Sequence, residues 1–127
     1  MQKKWLDQED SPELAIYVVW SSQLNAEEKH VADAAKLLSD QRAWHYWDGD
    51  QVVGSKYQNL TLPDGEVIEI ASPAWDVWML FGRDARWDES APRPDWWEHQ
   101  LGPLPKEIRL EPERFGDKAS ELLALEH

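Results

Sequence analysis

The sequence predicts an α/β fold: a parallel β-α-β unit followed by further strands and a C-terminal helix. Three observations carry this. LAIYVVW (14–20), AWHYW (43–47) and WDVWMLF (75–81) are short runs rich in β-branched and aromatic residues, of the kind found in strands covered on both faces. Between the first two runs, Val31, Ala34, Ala35 and Leu38 recur at helical spacing. Near the end of the chain, Phe115, Ala119 and Leu122 fall on one helical face.

Each element follows from local chemistry. LAIYVVW is the first and central strand. Asn25 offers an N-cap with Glu28 three residues on, which predicts a helix over 26–39. AWHYW is the second strand, ended by Asp48-Gly49-Asp50, which is turn chemistry. Strand, helix, strand in close succession implies a right-handed crossover and parallel pairing. Val53, Tyr57 and Leu60 then repeat at helical spacing and predict a short second helix, weakened by Gly54. Leu60 to Leu62 and Val67 to Ile70 flank Pro63-Asp64-Gly65, so this piece reads equally well as a small hairpin. WDVWMLF is the third main strand, closed by Gly82-Arg83-Asp84. Ile108 and Leu110 alternate with polar neighbours and predict an edge strand from Lys106.

Residues 82–105 then form an excursion between two strands, far longer than an ordinary connection, which suggests a functional segment or a covering flap. Inside it lies DWWEHQ (95–100), flanked by APRP and GPLP. Asp95 is a plausible N-cap for one helical turn through Trp96 to Leu101.

The length of 127 residues predicts one domain over 1–124. The terminal Leu125-Glu126-His127 resembles the start of an expression-tag remnant. No apolar core follows the two N-terminal lysines and no stretch is long enough to span a bilayer, so a cytoplasmic protein without membrane association is expected. Cysteine is absent, which excludes disulfides, thiolate metal sites and thiol catalysis. The formal charge of −12 repels phosphate backbones at long range, and the small basic group Arg83, Arg86 and Arg93 is interrupted by Asp84, Asp88 and Glu89. Nucleic acid is therefore not an expected partner. Trp-Asp pairs at 47, 75 and 87 do not have the spacing of propeller blades.

The element order resembles the thioredoxin-like fold, a three-layer sandwich, and the resemblance implies a mixed central sheet in which the parallel β-α-β unit is followed by antiparallel strands. VWSSQL (19–24) is similar to the end of that family's first core strand and the turn opening its active-site helix. Pro73, followed by the apolar strand to Phe81 and Gly82-Arg83-Asp84, resembles the proline before its third core strand. The likeness covers residues 14–87 and the C-terminal strand and helix. The redox cysteines of the family would fall near Leu24 and Glu27, so the resemblance implies a branch lacking them and without thiol exchange. HYWD, AWDVWMLFGRDARW and PDWWEHQL are also similar to stretches of small uncharacterised bacterial proteins.

Ligands of open α/β sheets gather beyond the carboxyl ends of parallel strands. Those ends are Ser21-Ser22 and Trp47-Asp48, and the resemblance implies that Trp75 and Asp76 return to the same edge. Asp48 and Asp76 are candidates for a paired acid and base, although both residues also suit turns and caps. His45 and His99 are further catalytic candidates, with Ser21 or Ser22 as a possible nucleophile, but no nucleophile elbow is present. His30, His45 and His99 lack the spacing of metal ligands, and neither a metal nor a cofactor is expected. Trp47, Trp75, Trp96 and Trp97 are candidate ligand-stacking surfaces. Core and cover is the simpler role for the indoles, because several exposed rings without a partner promote association.

Three functions remain open to the sequence. The first is a redox-inactive binding or interaction domain with an unknown protein or small-molecule ligand. The second is a small hydrolase using Asp48, Asp76, His45 or His99 in acid-base or metal-assisted chemistry. The third is a structural subunit that buries tryptophans in a homo-oligomer interface.

Overall fold

A computed structural model of the chain describes residues 11–21, 27–69, 76–102 and 104–125. Ser22, Leu24, Asn25, Ile70, Pro73, Trp75 and the terminal Glu126-His127, all singled out above, lie outside the described residues. The chain divides into two compact units, residues 16–75 and residues 1–15 with 76–127. Both mix helix and strand, and the final element is a helix.

In the unit of residues 16–75, β1 (Ile16–Ser21) pairs in parallel with β2 (Ala43–Asp48). The register runs from Ile16 opposite Ala43 to Ser21 opposite Asp48. Parallel pairing agrees with the expected β-α-β succession. The connecting helix, however, is not one continuous element over 26–39. A 3-10 turn at Glu28–His30 leads into a single α-turn, α1 (Val31–Ala34), and then a 3-10 turn at Ala35–Leu37. None of these residues is fully buried, and helical stability in proteins comes mostly from a packed face. Its start is held by the Glu27 N–H, which donates to Nδ1 of His30.

The turn after β2 leads into α2 (Val52–Lys56), the expected short second helix. Tyr57 and Leu60 beyond it are buried. The hairpin reading of the following segment also holds: β3 (Asn59–Thr61) pairs antiparallel with β4 (Val67–Glu69). Gly65 takes φ 93 at the turn, a conformation that costs glycine little. The Glu66 N–H donates to Asp64 Oδ1.

In the other unit, β5 (Val77–Leu80) pairs antiparallel with β6 (Trp96–His99). This corrects the helical turn expected for DWWEHQ. Asp95 does not cap a helix: its N–H donates to the Leu80 carbonyl, and its Oδ2 accepts the Gly82 N–H at 2.6 Å. The two ends of the connection are thereby tied together, and the adjacent indoles suit a pleated surface. Part of the expected 82–105 excursion is therefore a strand. The edge strand expected from Lys106 is also corrected. Lys106–Ile108 is a 3-10 turn, and only Arg109 bridges to His99, in parallel sense.

The last helix, α3 (Pro112–Leu125), opens with proline, whose missing N–H is not needed at a first helical position. Phe115 and Ala119 on α3 form a buried cluster with Leu80, flanked by Trp78, Trp96, Leu110 and Leu122.

Among the described residues, six strands form three separate two-stranded ladders in place of the single mixed sheet expected. Every pairing joins strands consecutive in the chain, the arrangement that demands the least loop closure.

Candidate functional site

Alternation along β1 and β2 divides their side chains between two faces. Trp20 and His45 share one of them. The Trp20 indole N–H donates to His45 Nδ1 at 2.9 Å, and the two rings stack with an interplanar angle of 11°. Nε2 of His45 lies 3.1 Å from the Leu38 carbonyl. A carbonyl only accepts, so Nε2 carries the hydrogen and Nδ1 offers its lone pair to Trp20. Both nitrogens of this catalytic candidate are engaged.

On the opposite face stand Tyr17, Val19, Trp44 and Tyr46, which are 60%, 39%, 55% and 49% exposed. Tyr17 lies opposite Trp44 and Val19 opposite Tyr46 in the parallel register. The Tyr17 and Trp44 rings meet edge to face, with centroids 5.5 Å apart at 72°. Tyr17 also lies nearly parallel to Tyr46, at 6.4 Å and 26°. Three large aromatic rings thus form one exposed group on a parallel strand pair, although parallel strands are normally covered on both sides.

Sequence reasoning did not single out Tyr17, Trp44 or Tyr46 for a site. The runs LAIYVVW and AWHYW are apolar at successive positions, so they lack the polar alternation that identifies a solvent-facing side. Trp47, which was singled out, is half-buried on β2. Its Nε1 sits so close to Gly49 that a Cβ there would approach within 2.7 Å.

Asp48 is buried at the end of β2, opposite Ser21. Oδ1 accepts the Val52 N–H at 2.8 Å, and Oδ2 accepts those of Val53 at 3.0 Å and Gly54 at 3.3 Å. Its carboxylate therefore satisfies the first amides of α2, which have no partner within the helix. Asp76 belongs to the other unit. It adopts a left-handed conformation with φ 52 just before β5, and burial raises its carboxyl above the ordinary carboxylate value. Its carbonyl accepts the Gln100 N–H.

A shallow depression of about 310 Å³ lies against α1 and the start of β2. Three titratable side chains line it, Lys36, Asp40 and His45. Lys36 pairs with Asp33 at 3.3 Å, Asp40 with Arg42 at 2.7 Å, and His45 is held as described.

DWWEHQ carries a different kind of arrangement. Trp97, Glu98 and His99 are buried, the last two completely. His99 Nδ1 accepts the Leu101 N–H at 3.0 Å, and Nε2 lies 2.7 Å from the Pro105 carbonyl. It too holds its hydrogen on Nε2 and presents both nitrogens to the backbone. Glu98 Oε1 accepts the Glu111 N–H at 2.7 Å, while Oε2 accepts the Trp96 indole N–H at 2.7 Å and Arg114 Nε at 2.9 Å.

Arg114 also donates to the Glu107 and Arg109 carbonyls, and its bond to Glu98 holds its pKa above the ordinary guanidinium value. The Trp96 ring receives Lys118 Nζ at 4.7 Å from its centroid. Glu98 and Trp96 thus bind α3 to β6. Arg114 was missed in the sequence, where the only signal was its place with Glu111 and Lys118 at helical spacing.

Among the described residues, no group of three His, Cys, Asp or Glu side chains is arranged to hold a metal ion. No helix among them is long and apolar enough to cross a membrane. Comparison of the chain with family models, curated proteins and solved structures finds no match to any of them.

Proposed function

We propose that the chain is a binding or interaction domain that offers the Tyr17, Trp44 and Tyr46 face of β1 and β2 to a partner. The observation carrying this reading is the clustering of three half-exposed or more exposed aromatic rings on one side of a parallel strand pair. Aromatic side chains of this type dominate binding hot spots, because each brings a large contact area at low conformational cost. The catalytic candidates His45, His99 and Asp48 each have structural hydrogen bonds that account for their positions.

The thioredoxin-like relation belongs to the same proposal, as a redox-inactive branch without cysteine. It is supported by the parallel β1–β2 pair joined through helical turns, and by the antiparallel β5–β6 pair followed by α3. In a single sandwich sheet β1 would pair with β5. Backbone NOEs between those strands test that extension, and a complete assignment lacking them would remove it.

The binding reading is tested with a variant carrying Tyr17→Ser, Trp44→Ser and Tyr46→Ser, used beside the wild type as bait in a quantitative pull-down. Unchanged circular dichroism and a loss of specific captured proteins are the expected pair of results. Equal capture by two equally folded baits would overturn the proposal.

A further inference from the structure

We infer that the aromatic face of β1 and β2 receives a lysine- or arginine-bearing segment of a partner protein. This rests on the binding role proposed for that face and adds the chemistry of the occupant. An acidic chain with a cation-accepting aromatic surface is complementary in charge to such a segment.

The chain carries 25 acidic against 13 basic side chains, a formal −12. Its unit of residues 16–75 has nine Asp and Glu against four Lys and Arg, a formal −5. Neither β1, IYVVWS, nor β2, AWHYWD, contains a lysine or arginine. The nearest arginine in sequence, Arg42, is held by both carboxylate oxygens of Asp40. The unit that carries the rings is therefore net negative, and their own strands contribute no lysine or arginine.

Faces of tyrosine and tryptophan attract ammonium and guanidinium groups, and guanidinium also stacks on them. Tyr17 and Tyr46 lie near-parallel, while Trp44 stands across Tyr17, so ring surfaces are offered in two orientations. The chain makes the same kind of contact internally, where Lys118 and Arg114 approach Trp96. Nucleic acid and anionic lipid are repelled at long range by the same net charge. A second copy of the chain would bring another −12 to the interface.

The test is an NMR titration of the full chain at 0.15 M salt with capped tetra-arginine, tetraglutamine and tetraglutamate peptides. Tetra-arginine is expected to give saturable shifts at the Trp44 indole and at the amides of Tyr17 and Tyr46, with the other two peptides inert there. Trp44→Ala and Tyr46→Ser should each weaken tetra-arginine binding about fivefold, and Trp44→Phe should recover part of the loss. Two different folded variants guard against a general effect on structure.

Tetra-arginine shifts confined to acidic residues away from the face, or unchanged affinity in both variants, would overturn the inference. So would an equal response to tetraglutamine, or concentration-dependent shifts at the face without peptide, which would assign it to an uncharged ligand or to self-association. If no peptide moves the face while the triple-serine bait still loses its captured proteins, the binding role stands and the basic occupant is wrong. If the bait loses nothing either, both are wrong.

Discussion

Arg114 Nε lies 2.9 Å from Oε2 of Glu98, a carboxylate that is wholly buried while the arginine keeps 30% of its side-chain surface. The pair joins β6 to α3 across sixteen positions of sequence. Every charged bond Glu98 makes is to a group that would itself lose a partner if the carboxylate were removed. Desolvation of an ion pair offsets much of its attraction, so its net value is modest, but breaking one side strands the other.

Arg114→Ala is therefore expected to destabilise the chain by about 3–5 kcal/mol, the loss typical of an abandoned buried charge. Glu98→Gln should also destabilise the chain, since an amide oxygen can still accept the Glu111 N–H but its NH2 would face the Trp96 and Arg114 donors. The double variant should lose less than the sum of the two single losses. Urea unfolding, together with amide exchange along α3, measures all three, and strict additivity would show that the two side chains act independently.

Asp48, a candidate for acid-base chemistry in the sequence, has the same structural character. Three amides at the start of α2 converge on its carboxylate. Asp48→Ala should cost about 1–2 kcal/mol, as loss of a helix-capping carboxylate does. Faster amide exchange at Val52, Val53 and Gly54 is the accompanying sign. Retention of ordinary exchange at those three amides would contradict the capping role.

The pH dependence of stability has an identifiable contributor in Asp40. Hydrogen bonds from the Arg42 side chain, helped by its backbone amide and charge, lower the Asp40 carboxyl from 3.8 to about 2. A carboxyl more acidic in the fold than in the unfolded chain stabilises the fold above its unfolded pKa, and that contribution fades as the pH falls from about 4 to about 2. Because the pair is part-buried, with 18% of the Arg42 and 11% of the Asp40 side chain exposed, a contribution of about 1 kcal/mol is expected. Asp40→Asn should lower stability by that amount at neutral pH and flatten the acid limb of the stability profile. Parallel profiles for the two proteins from pH 5 to 2 would exclude this assignment.

The elements legible in the sequence are those written by local chemistry. Aromatic and β-branched runs marked β1, β2 and β5, the Pro63-Asp64-Gly65 turn marked the β3–β4 hairpin, and Phe115, Ala119 and Leu122 marked α3. Strand β6 was not legible, because Asp95 followed by mixed residues has the pattern of a helix start. What decides its conformation is nonlocal: the ladder to Val77–Leu80 and the Asp95 bond to Gly82. Glu98 likewise finds Arg114 only after α3 is in place. The aromatic face was hidden for the opposite reason. An uninterrupted apolar run identifies a strand but leaves both of its sides alike, and only the folded chain distinguishes Tyr17 and Trp44 from Trp20 and His45.

Asp76 departs from the pattern of the other carboxylates, because burial disfavours its ionised form. Its φ of 52 is a left-handed conformation that most side chains resist and that aspartate and asparagine both tolerate. Although the residue as a whole is exposed, partial burial of the carboxyl raises its pKa. A carboxyl less acidic in the fold stabilises the fold at low pH, and the contribution is lost as the pH rises through its folded value. Asp76→Asn should therefore raise stability at neutral pH, with the gain shrinking to nothing as the solution is acidified below the carboxylate range. Asp76→Ala removes the same charge but puts an ordinary side chain into the left-handed region, at a cost of about 1 kcal/mol, so it should fall below Asp76→Asn at every pH. Thermal unfolding of the three proteins between pH 3 and 7 separates these effects. A neutral-pH loss of stability in Asp76→Asn would mean that the carboxylate has a favourable ionic role in the fold, contrary to this account.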